Sequence, residues 1–302
     1  MPALSLQNST FRPRLCPLLL MLLLAIGLVG CGTKMSYRFM DWVVAWSVDD
    51  YVRWDSTQQR EFDQRLQQTL LWHQRTQLPR YSALLGQLQQ DFDEPLSRDL
   101  LMQRLDQIMP LWTDIMVQIE PDVVSMLSTL SDQQTQRLLR NLDKQIAKYE
   151  KQYSGSSVEQ RDKQRVKGVE KFARRFIGPL TREQKTIIAG WGEQVEDSRS
   201  EWLQNRKNWR DRFDTALQAR QQPQFNEQIN QLFLNAQSLW SDEYQRKITA
   251  NTEHGITLAI ALQASLTDKQ RRRLNRELDQ WQRAFDELAS EVAEPVMAGY
   301  AP

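Results

Sequence analysis

Beyond Met35, apolar residues return at steps of three and four along nearly the whole chain, and alternation with a period of two is almost missing. Phe62, Leu66, Leu70 and His73 follow a 4-4-3 step. Leu138, Leu142, Ile146, Tyr149 and Tyr153 follow a 4-4-3-4 step, and Leu274, Leu278, Trp281, Phe285, Leu288 and Val292 a 4-3-4-3-4 step. Such spacing lays an apolar stripe along one side of an α-helix and leaves no alternating face from which to build a sheet. The one alternating piece, ITLAIAL at 256–262, is flanked by helical pattern and reads as helix. The sequence therefore predicts an all-α fold, an elongated multi-helix bundle of long amphipathic helices with no sheet.

Ile188, Val195, Trp202, Trp209 and Ala216 fall at seven-residue intervals. That narrow seam predicts one uninterrupted helix from Thr181 to about Arg220, roughly 55–60 Å long at about 1.5 Å per residue. Phe225, Ile229, Leu232, Ala236, Leu239 and Tyr244 predict the start of another long helix. Helix ends or kinks are expected at Pro79, Pro95, Pro110, Pro121, the SGSS at 154–157, Gly178-Pro179 and Pro223. Asp91 to Glu94, just before Pro95, reads as a helix N-terminus, where acids favour the macrodipole. Residues 41–302 are expected to form a single elongated helical domain, or two packed sub-bundles meeting near 154–157.

The chain has two cysteines, Cys16 inside the first apolar run and Cys31 at its end, so the body holds together without disulfides. Arg12 and Arg14 precede the run from Leu15 to Val29. This order reads as an export signal, and the run falls short of the roughly 20 residues a membrane-spanning helix needs. A short signal-anchor is the alternative. Leu28-Val29-Gly30-Cys31 resembles the lipobox of bacterial lipoproteins. That resemblance implies removal of residues 1–30, acylation of Cys31, and a lipidated tether over 31–40. Two or three acyl chains give a stable anchor where one gives only marginal binding. Asp directly after the Cys commonly retains such proteins in the inner membrane, and here the position is Gly32, followed by Thr33 and Lys34. The implied location is the periplasmic face of the outer membrane of a Gram-negative bacterium.

Four stretches share a start: Leu130-Ser-Asp-Gln-Gln134, Leu180-Thr-Arg-Glu-Gln184, Leu266-Thr-Asp-Lys-Gln270 and, more loosely, Trp54-Asp-Ser-Thr-Gln58. Each has an apolar residue eight positions after the first: Leu138, Ile188, Leu274 and Phe62. A hydroxyl followed three residues later by Gln is a capping box, and the preceding Leu or Trp is its staple. The pattern also resembles the L-T-x-x-Q signature of Spy and CpxP type periplasmic proteins, which implies a helical, chaperone-like role. Tyr37 through Asp55 (YRFMDWVVAWSVDDYVRWD), together with RFIGPLT at 175–181, is similar to an uncharacterised family of bacterial lipoproteins defined only as a domain of unknown function. That likeness implies a helical lipoprotein and no activity.

Charge is segregated along the chain. Residues 41–122 carry seven Arg against fourteen Asp or Glu, whereas 137–175 carry twelve Lys or Arg against five acids. Lys163, Arg165, Lys167, Lys171, Arg174 and Arg175 are interrupted by Val166, Val169, Phe172 and Phe176, the pattern of an amphipathic helix with a cationic face. That face suits an anionic partner such as lipid phosphate, peptidoglycan carboxylates or an acidic envelope protein; the bland reading is that it is solvated or pairs with the protein's own acids. Nucleic acid is not expected as a partner of an exported protein.

No residue is assigned a catalytic or metal-binding role, and no cofactor is implied. His73 lies on an apolar face and reads as a hydrogen-bonded core residue, while His254 precedes Gly255 with no second ligand at metal spacing. The G-x-S-x-G, G-x-x-x-x-G-K and H-E-x-x-H patterns are absent. Helical lytic transglycosylases share the expected compartment, but their catalytic Glu is normally followed by Ser, and the chain has no Glu-Ser pair. The expectation is a non-catalytic, membrane-anchored binding, scaffold or chaperone-like lipoprotein, with a peptidoglycan-acting enzyme as the alternative.

Overall fold

The computed structural model describes residues 37–292, and among them all regular structure is helical. In chain order the helices are α1 Met40–Asp49, α2 Ser56–Thr76, α3 Leu78–Asp91, α4 Arg98–Ser128, α5 Asp132–Ser154, α6 Val158–Ile177, α7 Arg182–Gln194, α8 Arg199–Gln218, α9 Phe225–Leu234, α10 Asp242–Ala264 and α11 Asp268–Ser290, with a short 3₁₀ turn at Ala236–Leu239. The all-α expectation holds, and ITLAIAL lies within α10.

All four repeated starts are helix N-termini. Asp55, Ser131, Thr181 and Thr267 each cap a helix, and the Gln three residues on returns its side-chain oxygen to the cap's backbone N–H. Ser157 and Gln160 make a fifth such box at the start of α6. Four of the five do more than cap, because their glutamines meet in pairs. Gln184 and Gln270 donate to each other's Oε1 at 2.9 Å, and each also donates across the pair to a backbone carbonyl, Gln184 to Ser265 at 3.1 Å and Gln270 to Pro179 at 2.9 Å. Gln58 and Gln134 repeat the arrangement: Gln134 donates to Gln58 Oε1 at 2.6 Å, Gln58 to the Thr129 carbonyl at 3.0 Å, and Gln134 to the Arg53 carbonyl at 3.1 Å. In every case the accepting carbonyl lies five residues before the partner glutamine, so each pair has local two-fold symmetry.

Each pair sits beside its own apolar core. Leu130, Leu138, Leu139, Phe213, Leu217, Phe225 and Ile229 belong to the first, with the Trp54 and Phe62 rings in contact at 5.7 Å beside the Gln58 cap. Ala173, Ile177, Ile188, Leu258, Leu274 and Leu278 form the second, with Leu180 and Leu266 packed against it. The cores draw on interleaved segments, since α8 and α9 complete the first while α3 flanks the second. Helix α11 runs along α2 and α3, joined through Gln89 to Asp279 at 2.9 Å and the Tyr81–Phe285 edge contact.

Two helix expectations are corrected and a third is narrowed. The seam from Ile188 to Ala216 is not one helix: α7 stops at Gln194 and α8 starts at Arg199. The reason is tertiary. The Asn251 side chain accepts from the Glu196 N–H and donates to the Glu196 carbonyl, both at 2.9 Å, while Lys247 donates to the Asp197 carbonyl. Side chains of α10 thus satisfy the backbone groups that helix continuation would have paired. Likewise α9 ends at Leu234, because the 3₁₀ turn and the Ser241 cap of α10 intervene before Tyr244. Conversely, α4 runs for 31 residues with Pro110 and Pro121 inside it, so neither proline ends the helix. Each proline removes one donor, but Met109, Leu111, Val124, Met126 and Leu127 are buried along the helix and favour its continuation.

Asp91 is also corrected: it ends α3 instead of starting a helix. A carboxylate there opposes the macrodipole, and Arg104 offsets it with a two-pronged contact, Nε to Oδ2 at 2.5 Å and Nη2 to Oδ1 at 2.9 Å. At the SGSS turn, Ser154 closes α5 and Ser157 caps α6. The buried Arg161 guanidinium lies under this turn, donating to the Ser156 carbonyl and to Asp197, with the Tyr153 ring 4.5 Å away.

Candidate anion-binding cleft

The end of α6 is set by Gly178, whose φ of +83° is open to glycine at little cost and whose N–H closes on the Arg174 carbonyl at 2.9 Å. Pro179 and Leu180 then lead into the Thr181 cap of α7. Beside this corner lies a cleft of about 450 Å³ lined by Arg174, Gly178, Pro179, Leu180, Lys185 and Arg273. Three cations face a lining that contains no carboxylate.

The cations are held differently. Arg174 leans on Glu170 one turn back at 2.6 Å and remains half exposed. Arg273 crosses from α11, donates from Nη2 to the Arg175 carbonyl at 3.2 Å and stands 3.7 Å from Glu277, while its buried Nε–H has no acceptor. A Cβ at position 178 would lie 3.3 Å from Arg273 Cδ, so glycine lets the arginine approach the corner. Lys185 is exposed on the first turn of α7. The capping box of α7 engages the N–H groups of Thr181 and Gln184.

The six cations singled out on α6 do not act as one surface. Lys163, Lys167, Lys171 and Arg174 are exposed. Lys163 pairs with Glu159 at 2.7 Å. Arg165 is turned inward, bonded to Asp162 at 2.5 Å and to the Gly192 carbonyl of α7 at 3.2 Å. Arg175 is half-buried and supplies its carbonyl to Arg273. Only Arg174 of the six lines the cleft. Lys185 and Arg273 were missed by periodicity; the signal that marks Arg273 is the run Arg271-Arg272-Arg273 directly after the Thr267 cap. Cys31 lies outside the described residues.

His73 proves to be a structural group. Its Nδ1 faces the Tyr37 hydroxyl at 3.0 Å and its Nε2 the Tyr81 hydroxyl at 3.2 Å. Tyr37 also donates to the Leu70 carbonyl. A neutral ring that donates from Nδ1 to Tyr37 and accepts at Nε2 from Tyr81 satisfies all three side chains. Burial pushes His73 down to about 4 and Tyr81 up to about 12, and raises Tyr37 as well, mainly by burial and further by Tyr81. Among the described residues no group of three or more His, Cys, Asp or Glu is arranged to hold a metal, and no helix is long and apolar enough to cross a membrane.

Neither a curated protein nor a solved structure matches the chain. A family profile matches residues 50–245, the greater part of the chain, from the end of α1 to the first turn of α10. This span includes Arg174, the Gly178 corner and Lys185 but stops short of Arg273. By that match the chain belongs to a family of unknown function, DUF6279.

Proposed function

We propose that the protein is a lipid-anchored, non-catalytic component of the Gram-negative cell envelope, held through Cys31 at the periplasmic face of the outer membrane, where it binds an anionic envelope group. The observation that carries the binding role is the cleft between α6, α7 and α11, whose lining includes Arg174, Lys185 and Arg273 and no carboxylate. Cations gathered in a concavity raise the local concentration of an anion and fix its position. Guanidinium and ammonium groups favour an oxygen acceptor such as a phosphate or carboxylate.

Two experiments test this. Full-length protein in detergent is co-sedimented with purified peptidoglycan sacculi, which offer carboxylates, and separately titrated with inorganic phosphate. Binding to at least one is expected, weakened tenfold or more by Arg174→Glu with Lys185→Glu and by added salt. Binding to neither, or unchanged binding by the variant, overturns the cleft assignment. Release of soluble muropeptides from the sacculi would instead favour the enzyme reading. For the anchor, Cys31→Ser is compared with the natural chain by membrane fractionation and by mass analysis of the N-terminus. A retained signal peptide without acyl mass refutes the lipoprotein reading.

A further inference from the structure

Helix α1 is apolar on both sides, and the fold uses only one of them. Met40, Val44 and Val48 are half-buried on the side that meets α2. Phe39, Trp42, Val43 and Trp46 form a second stripe at i, i+3, i+4 and i+7 with exposures of 54%, 64%, 43% and 59%. Trp42 and Trp46 stack on each other at 6.3 Å, nearly parallel. A helix with apolar residues around its circumference belongs where both sides are covered, and the described residues supply no cover for this one.

The helix is held firmly at both ends, so the stripe is a presented surface. At its start Tyr37 is bonded to Leu70 and His73 of α2, and Arg38 pairs with Glu291 beyond α11 at 2.9 Å. At its end Val52 is buried in the first core, and Arg53 takes a φ of +63° as the chain turns into the Asp55 cap.

We infer that this stripe is a membrane-docking surface that lies in the headgroup region of a phospholipid bilayer, seating the helical body against the membrane that Cys31 enters. The inference rests on the lipid-anchor reading for its geometry. Seven residues lie between Cys31 and Phe39, and the eight Cα–Cα steps fully extended reach only about 28 Å, so an acylated Cys31 keeps α1 within that distance of the bilayer. Paired tryptophans are the side chains that prefer the membrane interface, with apolar rings in the boundary and N–H groups toward water. The charges suit this order along the chain: Lys34 precedes the stripe in sequence, and Asp49 and Asp50 follow it. Asp41 is exposed on the flank, well around the helix from the Trp stripe.

The test uses the full-length protein in phospholipid vesicles carrying bromine either high or low on the acyl chains, with Trp42→Phe/Trp46→Phe as the reference. These exposed substitutions leave the cores untouched, and subtraction isolates the two tryptophans from the others. Docking predicts a blue-shifted difference signal, quenched more by the shallow bromines than by the deep ones. A red, unquenched difference signal from protein whose Cys31 acylation is confirmed by mass overturns docking and spares the anchor. Absence of acyl mass together with shallow quenching overturns the anchor and spares docking. If Trp42 and Trp46 are already shielded from aqueous acrylamide without vesicles, a second copy or residues 293–302 cover the stripe, and the proposal falls.

Discussion

Replacing Gln184 by Ala should cost far more than losing a helix cap. The side chain is fully buried, and its amide makes four contacts: Oε1 accepts from the Thr181 N–H and from Gln270 Nε2, while Nε2 donates to Gln270 Oε1 and to the Ser265 carbonyl. Truncation leaves these partners without water to replace the lost bonds. At about 1 kcal/mol net per hydrogen bond, and more where a buried group is orphaned, the expected loss is roughly 3–4 kcal/mol. Gln160 is the internal control. Its Oε1 accepts from the Ser157 N–H at 2.9 Å in the same capping box, but the side chain is exposed and has no partner glutamine, so Gln160→Ala should cost about 0.5 kcal/mol. Urea unfolding followed by far-ultraviolet circular dichroism measures both. In a double-mutant cycle, Gln184→Ala and Gln270→Ala should show a coupling of about 1–3 kcal/mol. Equal losses at positions 160 and 184, or a coupling near zero, would refute the argument and reduce the repeated motif to local caps.

Three further outcomes follow from the packing. His73 is held neutral with its pKa lowered to about 4, so its contribution is fully present above the unfolded value of about 6.5 and is lost as pH falls toward 4, with a slope of up to about 1.4 kcal/mol per pH unit; His73→Gln should lack that slope, and subtracting its pH–stability curve from that of the natural chain should isolate it. Gly192→Ala should destabilise by about 1–3 kcal/mol although alanine favours helix, because its Cβ would lie 2.4 Å from Val166 Cγ2, whereas Gly190→Ala, which meets nothing within 4 Å, should stabilise by up to about 1 kcal/mol; thermal melts of the pair give opposite signs. Arg104→Ala removes the counter-charge from Asp91 at the end of α3, so amide hydrogens of residues 88–94 should exchange faster while those of α5 stay unchanged.

Much of the fold is legible because helix signals are local. The three- and four-residue steps reach only to the next turn, and the Ser or Thr and Gln of a capping box bond within four consecutive residues, so Ser131, Thr181 and Thr267 could be read as caps directly. The misreadings share a different cause. The seam through Val195 is helical in pattern, yet Asn251, 55 residues away, takes the backbone bonds of Glu196. Pro110 and Pro121 look like stops, yet burial along α4 outweighs a missing donor. The cleft was half visible: Arg174 stood in one basic run and Arg273 in another, but nothing local in the sequence brings the two runs and Lys185 together.

The sequence by itself determined the helical class, the capped starts, the charge segregation, and the motif around Cys31 from which the envelope reading comes. Only the tertiary structure decided that the capping glutamines join in pairs at two cores, that Arg273 closes a cationic corner with Arg174 and Lys185, and that α1 keeps an aromatic stripe exposed. The division follows the reach of the interactions. A backbone cap is satisfied within one turn and is written in adjacent letters. The second half of each glutamine amide finds its partner 76 or 86 residues away, and that distance is closed only when the apolar faces are buried against one another.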